Sequence, residues 1–122
     1  MSDTIDMIDK LLTDLKNVGG VIACAAASRD GLLIRAIMHK EQFVESLVAM
    51  SATILGAAET ATTHVEMGIP ARIIVESDHG KLIVIGAGPK ALLILLASPN
   101  IGLGLILLEL EKSAEKLKEI LR

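Results

Sequence analysis

The sequence predicts an α/β domain of the α+β kind, in which a five-stranded antiparallel sheet of order 2-1-5-4-3 carries one long helix on one face and two terminal helices on the other. Three observations lead there. Apolar residues recur at helical spacing at both ends and in the middle of the chain, while five short strand-like runs fall into a group of two and a group of three. Two of those runs lack charge altogether, which marks them as the centre of a sheet.

From Thr4 to Val18, Ile5, Ile8, Leu11, Leu12, Leu15 and Val18 recur every three or four residues among Asp and Lys, the pattern of an amphipathic helix that Gly19 and Gly20 end. Val21 to Ala27 is a short apolar run, Asp30 and Gly31 supply a tight turn, and Leu32 to Met38 reads as the returning strand. Glu41 to Glu66 contains no Pro, and Phe43, Leu47, Met50, Ile54, Ala58, Ala61 and Val65 keep helical spacing until Gly68 and Pro70. Three strands follow, at Ala71 to Ser77, Lys81 to Ile85 and Ala91 to Ala97, with turns at Asp78 to Gly80 and Gly86 to Lys90. A last helix is expected from Ser98, with Pro99 or Asn100 near its start and Leu103, Ile106, Leu107, Leu110, Ala114, Leu117 and Leu121 along one side.

Charge orders the strands. Val21 to Ala27 and Ala91 to Ala97 carry none, whereas Leu32 to Met38 carries Arg35 and Ala71 to Ser77 carries Arg72 and Glu76. Strands covered on both faces read as continuous apolar runs, and edges carry charge. With the hairpins imposed, the order becomes second, first, fifth, fourth, third. The connection from second to third strand then crosses the whole sheet, roughly 20 Å at about 4.8 Å per strand. A helix of about 25 residues, roughly 37 Å long, has that reach.

Composition narrows the function. The 122 residues are expected to form a single domain, 1–122, able to bury about two thirds of its unfolded surface. Phe43 is the sole aromatic residue and the net charge is −3, so the stacking faces and basic footprint of a nucleic-acid binder are missing. The lone Cys24 has no internal disulfide partner and the amino terminus is acidic, which makes the cytoplasm the expected location. The apolar stretch Ala91 to Leu108 is interrupted by Pro99, Asn100, Gly102 and Gly104, so no membrane insertion is expected.

No group of residues calls for catalysis. Gly86, Gly88 and Ala91 in GAGPKA match the G-x-G-x-x-A form of a dinucleotide fingerprint, and Glu109 lies about 20 residues on. That fingerprint requires an amphipathic helix next, with its amino terminus toward the pyrophosphate. ALLILLA is uniformly apolar and stops at Pro99, so a glycine-rich hairpin turn is the better reading and no cofactor is expected. His39, His64 and His79 stand at no ligand spacing from one another or from Cys24, so no metal is expected. Cys24 in a central strand behaves as a small hydrophobe. Ser28, Arg29 and Asp30 are explained as turn residues.

The middle helix is the informative stretch. Ala49, Ala52, Thr53, Gly56, Ala57, Thr60 and Ala61 make one side narrow, and Gly56 lowers helix stability by roughly 1 kcal/mol relative to Ala. Close packing would offset that loss, either against the domain's own sheet or against a second copy.

Taken together, ACAAASRDGLLI at 23 to 34, SATILGAAETA at 51 to 61, VESDHGKLIVIGAG at 75 to 88 and ALLILLASPNIGLGLILLEL at 91 to 110 resemble the Roadblock/dynein light chain family. Its bacterial and archaeal members include regulators of Ras-like GTPases. The resemblance implies a non-enzymatic, cytoplasmic homodimer in which third strands pair edge to edge and middle helices pack side by side. The self-contact positions it implies are Arg72, Ile74 and Glu76 on the strand, with Met50, Ile54, Ala57 and Ala61 on the helix. It further implies a Ras-like small GTPase as partner, with a structural adaptor that ignores nucleotide as the alternative. No arginine finger is implied, and Arg29, Arg35 and Arg72 suit that role by chemistry alone.

Overall fold

In a computed structural model that describes residues 2–122, the chain runs α1 (Ser2–Lys16), β1 (Val21–Ser28), β2 (Leu33–Ile37), a 3-10 turn (Glu41–Phe43), α2 (Val44–His64), β3 (Arg72–Ser77), β4 (Gly80–Ala87), β5 (Ala91–Ala97) and α3 (Gly104–Ile120). The sheet is antiparallel throughout, in the order β2-β1-β5-β4-β3, as the distribution of charge predicts.

Alternation along each strand divides the sheet into two faces. Ala26, Ile83, Ile85, Leu93 and Leu95 point to one, where Ile8, Leu11, Leu12 and Leu15 of α1 and Ile106, Leu110, Ala114 and Leu117 of α3 close over them. Ala25, Ala27, Val84, Leu92 and Ile94 point to the other, beneath Val44, Val48 and Leu55 of α2. The two uncharged strands, β1 and β5, lie side by side at the centre, and every residue of β5 except the half-buried Leu96 is buried.

Several boundaries differ from the sequence expectation, most by one or two residues. The last helix begins at Gly104, six residues after Ser98. Residues 98–103 form a loop fixed by specific ties: the Ser98 amide donates to Gly20 O at 2.9 Å and Lys81 Nζ donates to Ile101 O at 3.0 Å. Gly20, at φ +92°, makes room for the Ile101 side chain, which a Cβ there would strike. Pro99 thus turns the chain well ahead of the helix rather than opening it. The fourth strand runs on to Ala87, since Gly86 pairs with Leu92 and Ala87 with Ala91; the turn is confined to residues 88–90. The middle helix proper is Val44–His64, because residues 41–43 are wound as a 3-10 turn and the chain leaves the helix through Glu66 at φ +64°.

The segment Ala91 to Leu108 is divided between β5, a loop and α3, so it forms no continuous helix. Among the described residues, one helix, Glu41–His64, is long and apolar enough to cross a bilayer by length and composition. Its inward side packs on the sheet.

Candidate interaction surface

Helix α2 carries three longitudinal stripes of identical spacing. Val44, Val48, Ser51 and Leu55 are buried against the sheet. Met50, Ile54, Ala57 and Ala61 repeat that spacing six residues further on, which at 3.6 residues per turn places them about 120° round the helix. All four are exposed, Met50 by 58% and Ile54 by 37%. Ala49, Thr53, Gly56 and Thr60 form the third stripe, also exposed. The four helix positions picked from the sequence therefore share one open side.

The small residues divide into two uses. At the start of the third stripe the approach is internal: Gly31, at φ +86°, lies so close that a Cβ there would stand 3.2 Å from the Ala49 Cα and 3.5 Å from the Ala52 Cβ. At Gly56 nothing lies within 4 Å of where a Cβ would be. The domain's own sheet is no reason for glycine at that position. Gly56 instead opens a cleft of about 720 Å³ with Glu59, Thr60, Thr63, His64 and Ile69.

Strand β3 is the sheet's edge, bonded to β4 on one side only. Arg72, Ile74 and Glu76 pair with Ile85, Ile83 and Lys81, which places them on the α3 face, opposite α2. The strand residues that share the α2 face are Ile73 and Val75. Arg72 is half-buried and engaged with Glu111 of α3, whereas Ile74 and Glu76 are exposed. The seven positions therefore fall into two groups on opposite faces of the sheet, four along the open side of α2 and three on the edge strand.

Sequence reasoning placed Phe43 and Val65 on the helical stripe with Met50 and Ile54, but not among the contact positions, and did not follow the apolar side past the helix end. Phe43 precedes α2, and Val65, Met67 and Ile69 continue past its end, with Met67 exposed by 76% and Ile69 by 78%. Val75 completes the set on the strand. The signal available was the run VEMGIP, apolar residues inside a segment that also carries turn residues. Large side chains concentrated this way mark contact surfaces in soluble proteins.

All four arginines are ion-paired: Arg29 with Glu59 at 3.0 Å, Arg35 with Asp9 at 2.8 Å, Arg72 with Glu111, and Arg122 with Glu119 at 2.6 Å. The Asp9 contact holds the Arg35 guanidinium above its ordinary pKa, through hydrogen bonding first and charge second. Cys24 is buried, donates to Leu12 O at 3.3 Å, and has its pKa pushed up to about 12 by burial. That suppresses the thiolate a nucleophile needs. Among the described residues no three His, Cys, Asp or Glu side chains converge as metal ligands. The segment after GAGPK is strand β5, not a helix, so no helix amino terminus stands behind the glycines.

A domain with a filled core whose longest helix is left half-covered has the surface of a protein-interaction module. Residues 7–97 match the Roadblock/LC7 domain, and the chain belongs to that family. An uncharacterized protein of Methanocaldococcus jannaschii, MJ1340, is 31% identical over 112 residues, which cover 92% of this chain and 97% of that protein. Among solved structures, a Roadblock/LC7 domain from Streptomyces avermitilis superimposes with a TM-score of 0.86 at 20% identity, covering 93% of this chain and 96% of that one. MglB from Myxococcus xanthus superimposes with a TM-score of 0.86 at 17% identity, covering 95% and 88%. At those identities the likeness is one of fold.

Proposed function

We propose that the chain works in the cytoplasm as a single-domain homodimer that binds and regulates a Ras-like small GTPase. The observation that supports the self-pairing is the open side of α2, together with an edge strand that lacks a second neighbour. The accessible surface supports it: the chain exposes 7191 Å², where a monomer of 12.9 kDa exposes about 6300 Å². The excess is about what each partner contributes to a protein interface of standard size. Strand β3 pairing with its twin would satisfy the free edge, and Met50, Ile54, Ala57 and Ala61 of the two helices would cover one another. A GTPase as partner is supported by family membership and by the fold shared with MglB.

The test has two parts. Sedimentation velocity at rising concentration should show a dimer. Candidate Ras-like GTPases from the same organism, loaded with GDP or a GTP analogue, should then be titrated by calorimetry, with tighter binding to one nucleotide state expected. Equal binding to both states would favour a structural adaptor, and binding to neither would remove the GTPase from the proposal.

A further inference from the structure

The glycines of GAGPK have a structural use. Arg29, at the end of β1, extends its guanidinium across Gly86, where any Cβ would collide with it. From there Nε and Nη2 both donate to the carbonyl of Gly88, at 3.1 and 2.9 Å, while Nη1 donates to the two carboxylate oxygens of Glu59 at 3.0 and 3.3 Å. Gly88 sits at φ +79°, the left-handed conformation that the turn requires and that aims its carbonyl at Arg29. The Arg29 amide adds a backbone bond to Lys90 O at 3.2 Å. One side chain thereby joins the β1 end, the β4–β5 turn and α2.

The place where it grips α2 matters. All four fully buried side chains of the helix, Val44, Val48, Ser51 and Leu55, lie in its first twelve residues. From Gly56 to His64 none is buried, and Ala58, Glu59 and Thr62 are only half-covered. Ala57 and Ala61, two of the proposed seam positions, belong to this lightly packed half. The Arg29–Glu59 contact is charge-assisted, with Nη1 shared between both carboxylate oxygens while Nε and Nη2 hold the guanidinium on the Gly88 carbonyl, so the direction of the group is fixed from its other side.

We infer that Arg29, seated over Gly86 and anchored on the Gly88 carbonyl, is a positioning residue that holds the carboxy-terminal half of α2, through Glu59, in the orientation needed for self-association. The inference rests on the dimer proposed above, because orientation of Ala57 and Ala61 has a consequence only if a twin packs on them. Lys could not replace Arg here: a single ammonium cannot serve the Gly88 carbonyl and both oxygens of Glu59 in that planar arrangement.

Arg29→Ala, Arg29→Lys, Glu59→Ala and Gly86→Ala should each raise the dimer dissociation constant roughly tenfold by sedimentation, and the Arg29→Ala/Gly86→Ala double variant no more than either alone, since both remove one clasp. Amide exchange at residues 58–64 should quicken about tenfold in each while residues 44–55 exchange as before, with circular dichroism confirming the fold. Glu59→Ala, on the helix surface, serves as the readout if Gly86→Ala fails to fold. Unchanged dissociation constants and unchanged exchange at 58–64, or effects that multiply in the double variant, would overturn the inference. A wild-type chain that stays monomeric would remove the seam itself, and exchange at 58–64 would then judge the clasp alone: faster exchange keeps Arg29 as the residue that positions the helix end, and unchanged exchange removes it.

Discussion

The two faces of the sheet are covered by helices of similar length and very different thoroughness. On one, α1 buries Ile8, Leu11, Leu12 and Leu15 in 15 residues, and α3 buries Ile106, Leu110, Ala114 and Leu117 in 17. On the other, α2 buries only four side chains in 21, one of them a serine, and leaves Met50 and Ile54 outside. The first face is amphipathic, with Asp, Glu and Lys on its outer surface beside the exposed Met7, Leu105 and Leu108. The outer surface of α2 is aliphatic, small or hydroxylated, and from Glu41 to Ala71 there is no Lys or Arg at all. A helix that is apolar by composition yet exposed in the fold offers a contact surface, the one the proposed dimer would use.

If that contrast is right, mutations on the two faces should separate folding from association. Leu110→Ala on the closed face should destabilise the domain by about 2 to 5 kcal/mol, the range for emptying a fully buried leucine site, as read from urea unfolding. Ala57→Arg on the open face should leave the unfolding of the monomer within about 0.5 kcal/mol, the usual limit for surface changes. It should weaken the dimer by about 100-fold or more, about 2.7 kcal/mol, by forcing an unpaired charge into an apolar contact. Light scattering that finds the Ala57→Arg dimer intact would break the comparison, since the open stripe would then be surface of no consequence.

Much of this was legible in the sequence, and the illegible part has a single cause. Strand order followed from which runs carried Arg35, Arg72 and Glu76, because charge is excluded from the centre of a sheet for reasons that need no coordinates. The outward stripe of α2 was found as well, but its inward stripe was not separated from it. Val44, Val48, Ser51, Leu55 and Met50, Ile54, Ala57, Ala61 share one spacing, so periodicity alone cannot say which meets the sheet. The extension through Met67 and Ile69 was hidden by turn residues around it, and the start of α3 by an Ile101 contact that no local rule contains. Arg29 read as a turn residue because its partners, Gly88 and Glu59, are 59 and 30 residues away.

The closed face can be probed at its centre through Cys24. Burial raises its pKa from 9.0 to about 12, so the folded state holds the thiol proton more tightly than the unfolded chain. Stability from this source is complete below pH 9 and is lost as pH rises from about 9 toward 12, at about 1.4 kcal/mol per pH unit within that window. Urea midpoints at pH 8 and pH 10 should therefore fall further for the wild type than for Cys24→Ala. Equal decline in both would mean that the thiol opens to solvent and that the closed face is less tight than its packing indicates.

The smallest effect tests the open face from beneath. Ser51 is fully buried under α2, and its hydroxyl has no hydrogen-bond partner. Its neighbours on the inward stripe, Val48 and Leu55, are aliphatic, so the group is desolvated without compensation. Ser51→Ala removes that hydroxyl and substitutes a better helix former. It should stabilise the monomer by about 1 kcal/mol, a few degrees in Tm for a chain of this length, and leave the dimer dissociation constant unchanged because the position points away from the seam. A loss of stability instead would mean that the hydroxyl is bonded in solution, and that α2 is tied to its own sheet more firmly than four buried side chains and one clasp provide.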